Sequence, residues 1–189
     1  MSIMPVDLAP VVAATARWLS HAYPSPWPGA FSAALVELQA RQAVTVAAWL
    51  RYPTAIDAEL LTIAGPGGAD RLDWVGGLTV DSPPDTELAW RAWVDEVVAS
   101  WAANLLTDPL LSAHAVAALA RRTSGAGLPT RFRRLLDPDE QDRRASALLR
   151  HPDLVEPVAD LHRVGLLDML SESPHAAPAA DAATRAAGH

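Results

Sequence analysis

The segment Asp81-Ser-Pro-Pro-Asp-Thr-Glu-Leu-Ala-Trp-Arg-Ala-Trp-Val-Asp-Glu-Val-Val-Ala-Ser-Trp-Ala-Ala-Asn-Leu-Leu106 decides how the rest of the chain is read. Ser82 fits a helix N-cap, a proline follows at the first helical position, and acids come early, where the helix dipole favours them. Apolar pairs then recur at positions 89/90, 93/94, 97/98, 101/102 and 105/106. A step of four residues overshoots the 3.6-residue turn, so the stripe rotates by roughly 40° per step. The spacing predicts one long helix to about Leu106, the central helix of the domain, with different neighbours covering its two ends.

Working outward, a first helix is expected from Leu8 to Ala22, with Leu8, Val11, Val12, Trp18, Leu19 and Ala22 on one side. Tyr23-Pro-Ser-Pro-Trp-Pro-Gly29 breaks it, and a second helix should start near Gly29 with Phe31, Leu35 and Leu38 turned inward. Gln42 to Leu50 fits a continued helix or a strand, because Val44, Val46, Ala48 and Leu50 alternate; helix is favoured. Thr54-Ala-Ile-Asp57 resembles a capping box opening a short helix to Ala64, which Gly65-Pro-Gly-Gly68 ends. Arg71-Leu-Asp-Trp-Val and Leu78-Thr-Val flank Gly76-Gly77, a signal for a two-residue β-hairpin.

Downstream, Asp108-Pro109, Asp137-Pro-Asp-Glu140 and Asp153-Leu-Val-Glu156 mark three further helix starts. Leu-Leu-x-x-Pro recurs, but prolines at 109, 138 and 152 do not keep the even period of ~40 residues that a helical solenoid needs. From Ser171 the composition falls to Ser, Pro, Ala and Gly, which reads as a disordered tail. The expected fold is mainly α: a single globular helical domain over residues 1–170, an array of about six helices with a small β-hairpin, then a tail over 171–189. The alternative is an α+β domain with a short antiparallel meander at 43–80.

Composition narrows the function classes. The chain has 189 residues, a formal charge of −7, half of its residues hydrophobic, 38 alanines and no cysteine. Disorder of the whole chain is excluded, and so are disulfides, thiolate metal sites and cysteine nucleophiles. All 15 basic residues are arginine, since lysine is absent; with the alanine content this matches the codon usage of a GC-rich bacterial genome. No run approaches the ~18 apolar residues of a membrane span, and the first residues lack a signal-peptide pattern, so a cytoplasmic protein without membrane contact is expected.

The candidate sites weigh unevenly. Asp137, Asp139, Glu140 and Asp142 read as a helix start rather than a metal site. His21, His114, His151 and His162 are tied to no nucleophile elbow or metal motif, so no catalytic, metal or cofactor residue is assigned. The seven tryptophans outnumber either of the other aromatics, and core packing is their plainest role. Trp27, set among prolines, is a candidate partner anchor, and Trp90 and Trp93 are candidate pocket aromatics.

Charge is segregated. From residue 117 to 150 eight arginines face four acids, a local +4, while the remaining seven arginines face eighteen acids, a net of −11. Arg121, Arg122, Arg131, Arg133 and Arg134 surround a small turn offering Ser124, Gly125 and Gly127 as backbone donors, the ingredients of an anion or acidic-partner receptor. The leading expectation is a non-enzymatic protein-interaction module docking through this 121–150 surface, its partner another, acidic protein. The same stretch loosely resembles a helix-turn-helix, which would imply a nucleic-acid-binding or transcriptional regulatory protein. A small-ligand-binding protein or enzyme with a Trp-lined pocket is the remaining alternative.

Overall fold

The computed structural model describes residues 8–78, 88–123 and 127–172. Its helices are α1 (Ala9–Ala22), α2 (Ala30–Arg51), α3 (Ala55–Ala64), α4 (Asp70–Val75), a 3₁₀ helix (Ala89–Trp93), α5 (Glu96–Thr107), α6 (Pro109–Thr123), α7 (Leu128–Arg131), α8 (Arg133–Leu136), α9 (Glu140–Ala145), α10 (Ala147–Arg150), α11 (Pro152–Asp160) and α12 (Arg163–Ser171). Among the described residues there is no strand. No helix there is long and apolar enough to cross a membrane.

Alanine builds the core. α1 packs on α2, α2 on α5, and α5 on α11. Ala40, Ala43, Ala47 and Ala48 of α2 and Ala99, Ala102 and Ala103 of α5 are buried, and such small side chains let helices approach closely. α5 buries every residue from Val98 to Leu106 and packs against α2, α11, α6 and α10. Its polar members are satisfied: Ser100 Oγ and Asn104 Nδ2 both donate to the Ala159 carbonyl of α11 at 2.8 Å. Trp101 Nε1 donates to the His162 carbonyl at 3.0 Å, fixing the turn between α11 and α12.

Two expectations need correction. The helix expected from Ser82 to Leu106 is broken: Val94 and Asp95 are extended, and Asp95 caps α5 through the Val98 N–H at 3.0 Å. Asp95 is also claimed from outside its own helix. Thr15 Oγ1 accepts its N–H at 3.4 Å, and the Tyr52 hydroxyl donates to its carboxylate. An aspartate with such partners stabilises a helix start better than a helix interior. The break lets the rotating stripe meet two neighbours: the 3₁₀ helix turns to α1, and α5 to α2 and α11. The expected cap at Ser82 lies outside the described residues.

The hairpin at Gly76-Gly77 is not seen, because Arg71 to Val75 belongs to α4. The two glycines instead end that helix, with the Gly76 N–H donating to Leu72 O at 2.7 Å and Gly77 at φ +68°. A Cβ at Gly76 would sit 3.0 Å from Leu72 O and 3.4 Å from the Trp18 ring, a tight fit that would make its neighbours give way slightly. The meander alternative fails likewise, since residues 44–50 lie in α2 and 58–64 in α3. Residues 79–80, the rest of the expected second strand, lie outside the described residues, as does the tail from residue 173.

Smaller differences are local. The Thr54–Asp57 capping box forms as read, but the box expected from Asp137 to Glu140 moves to Asp139 and Asp142. The start expected at Asp153 has His151 at the N-cap and Pro152 at the first turn. Leu35 is buried as expected, but Phe31 and Leu38 are exposed. The segment after α6 divides into short helices, so the described residues hold more helical pieces than six.

Both tyrosines of the chain resist ionisation. Burial raises the Tyr23 phenol, whose hydroxyl finds no hydrogen-bond partner among the described residues. Burial, and then the Asp95 carboxylate beside it, raises Tyr52. A folded-state value above the unfolded value of about 10 adds stability that is complete below that pH and lost as pH rises through the folded value. In alkaline titration, near-UV phenolate absorbance should therefore lag well above pH ~10 for the native protein and appear near it in urea. Native titration at the ordinary value would show that neither phenol is sequestered.

Candidate functional site

Two long amides on α2 build the basic region. Gln42 Nε2 donates to Arg131 O at 3.1 Å, and Gln42 Oε1 accepts the Leu135 N–H at 3.0 Å, clamping the α7–α8 turn. One helical turn earlier, Gln39 Nε2 donates to Asp142 O at 2.9 Å. Phe132 is inserted beneath this turn, buried, with its ring 5.8 Å from Trp49 in an edge arrangement at 80°. The segment is thus held by its backbone and one aromatic plug, leaving the guanidinium groups to be placed by their surroundings.

That placement divides the arginines. Arg134 pairs with the fully buried Asp142, and Arg133 reaches Asp139 at 3.8 Å and Asp142 at 4.0 Å. Asp139 caps α9, and the Asp142 N–H it accepts at 2.8 Å, with the nearby Arg133 and Arg134 charges, holds its carboxyl below the usual range. Arg144 pairs with Glu140 at 2.5 Å, four residues away on the surface. Of these cations Arg134 is held within the fold, while Arg133 and Arg144 remain exposed beside their acids.

Arg131 is different. Its guanidinium lies 4.9 Å over the Trp49 ring and 5.9 Å from that of Phe132, it is exposed, and no carboxylate among the described residues is within ion-pair distance. A guanidinium resting near an aromatic ring in this way still has N–H donors to offer a carboxylate. Arg121 and Arg122, in the last turn of α6, are also exposed and unpaired among the described residues, and α6 packs against α7 and α8. Gly127 is the N-cap of α7, and its carbonyl accepts the Arg131 N–H at 3.2 Å. Ser124 and Gly125 lie outside the described residues.

The candidate aromatics separate as well. Trp27 stands exposed in the loop before α2. Trp90 and Trp93, on the 3₁₀ helix, line a groove of about 450 Å³ against α1 and α2, joined there by Arg17, Glu37 and Arg41. Nothing in the sequence pattern singled out these three residues: Arg17 is an isolated charge on α1, and Glu37 and Arg41 share α2. The Glu37-x-x-x-Arg41 spacing was the one legible sign of a surface pair.

His162 Nε2 lies 2.8 Å from Glu96 Oε1, which Arg71 also approaches at 3.2 Å. The nearby Ser100 hydroxyl donates to Ala159 O and accepts the His162 N–H at 3.0 Å, so it is held by backbone. Among the described residues no three His, Asp or Glu side chains are placed to hold a metal ion. No family model matches the chain, and no curated protein and no solved structure matches it.

Proposed function

We propose that the chain is a non-enzymatic protein-interaction module that docks an acidic segment of a partner protein through Arg131, with Arg121 and Arg122 beside it. The observation that carries the reading is the exposed Arg131 guanidinium, 4.9 Å over the Trp49 ring and with no carboxylate among the described residues within ion-pair distance. A guanidinium already resting against an aromatic ring loses less freedom when a carboxylate meets it. Arg133 and Arg134 contribute by holding the turn, through Asp142.

The test is binding of a fluorescent poly-glutamate peptide, followed by anisotropy at several salt concentrations. Arg121→Ala, Arg122→Ala and Arg131→Ala combined should weaken it by about tenfold per lost contact, with the fold intact. Affinity should fall as salt rises, because the contacts are exposed to solvent. Absence of binding by the unaltered protein, or equal binding by the triple variant, would remove the proposal. An oligonucleotide binding more tightly than the peptide at matched salt would replace it with nucleic-acid recognition.

A further inference from the structure

Four features of the groove between α1, α2 and the 3₁₀ helix point to a ligand. Its aromatic floor is anchored from behind: Arg91, between Trp90 and Trp93, pairs with the buried Asp73, which also accepts Trp18 Nε1 at 2.8 Å. The Trp90 ring is flanked by His21 at 5.8 Å and by the Arg17 guanidinium at 5.1 Å. Arg17 is exposed, and no carboxylate among the described residues is within ion-pair distance of it. The indole N–H groups of Trp90 and Trp93 likewise have no acceptor among the described residues.

The charge of the groove follows from its pairs. Arg41 is neutralised by Glu37, with Nη2 at 2.8 Å and Nε at 2.9 Å from the same oxygen. Arg91 is neutralised by Asp73. Arg17 remains, the one groove arginine without a carboxylate partner among the described residues, beside two indoles and a wall of Pro10, Ala13 and Ala14. A cation would meet that charge as repulsion, and a dianion would bring one charge more than the groove can match. The cavity is of the size that holds small ligands, mostly apolar with a few placed polar groups.

We infer that this groove binds a small aromatic carboxylate, its ring against Trp93 and the α1 wall and its carboxylate on the Arg17 guanidinium. The inference is independent of the acidic-partner surface, which lies on α6 to α8. Glu37 acts as a brake on affinity, because it occupies Arg41 and keeps a second cation from the ligand.

Isothermal titration with 2-naphthoate tests it, with the uncharged 2-naphthamide as the control. The unaltered protein should bind naphthoate, and the amide about tenfold more weakly or worse. Arg17→Gln, at an exposed position, should weaken naphthoate by about tenfold while leaving the thermal midpoint in place. Glu37→Gln should tighten it by about threefold or more, a gain that loosened packing would not produce. The combined Arg121, Arg122 and Arg131 variant should bind naphthoate as the unaltered protein does. No binding at millimolar naphthoate, equal binding of the amide, no response to Arg17→Gln, weaker binding by Glu37→Gln, or loss in the triple variant would each overturn the assignment.

Discussion

Asp73→Ala is expected to cost about 3–5 kcal/mol of stability, the effect of removing one partner from a buried ion pair. Asp73 is only 8% exposed in its side chain and Arg91 only 19%, so water cannot replace the lost carboxylate. The substitution also strands the Trp18 indole N–H, on a residue with no exposed surface. At roughly 3 °C per kcal/mol for a domain of this size, the thermal midpoint should fall by about 10–15 °C. Urea unfolding of the variant gives the free energy directly. A loss below about 1 kcal/mol would place the pair among weak exposed bridges. Joint replacement by Asp73→Leu and Arg91→Met should recover much of the loss, because the penalty lies in the charge left behind.

Arg134→Met should cost about 2–4 kcal/mol for the same reason, with the sign set by Asp142. That carboxylate has 0% side-chain exposure and would retain only the Asp139 N–H at 3.2 Å and the more distant Arg133 at 4.0 Å. Its own partner, Arg134, is 28% exposed, so removing the carboxylate instead would strand a group that can reach water, and Asp142→Ala should be the milder change. Arg144→Ala is the internal control. Its pair with Glu140 is 70% and 75% exposed, and such surface pairs contribute below about 0.5 kcal/mol. Chemical unfolding of the three variants tests the order, and an Arg144 loss equal to that of Arg134 would contradict it.

These arginines show how far the sequence reading reached. The local excess of positive charge from 117 to 150 is a property of the letters, and so are the acids beside it. Which arginine meets which acid depends on how α8 and α9 fold together: Arg134 is drawn onto the buried Asp142, while Arg133 stays half exposed at the surface. Arg131 instead lies over Trp49, a residue of α2 that no local pattern brings beside it. The groove was half legible: Trp90 and Trp93 stood out, while Arg17 and Arg41 reach them from α1 and α2 across long stretches of chain.

The sequence by itself determined the helical class, the break before α2, the capping box at Thr54, and the Asp108 cap of α6, which accepts the Leu110 and Leu111 N–H groups at 3.0 Å. Each rests on contacts within about one helical turn, where local chemistry is decisive. Only the tertiary structure decided the break at Asp95, the use of Gly76 and Gly77 to end a helix, and the division of the arginines into occupied and free. There the partners come from outside the local turn: Thr15 and Tyr52 for Asp95 and Trp18 beside Gly76, all far away in the chain, and Asp142, on the next helix, for Arg134. A local pattern permits two answers at such positions, and the neighbour that arrives by folding selects one.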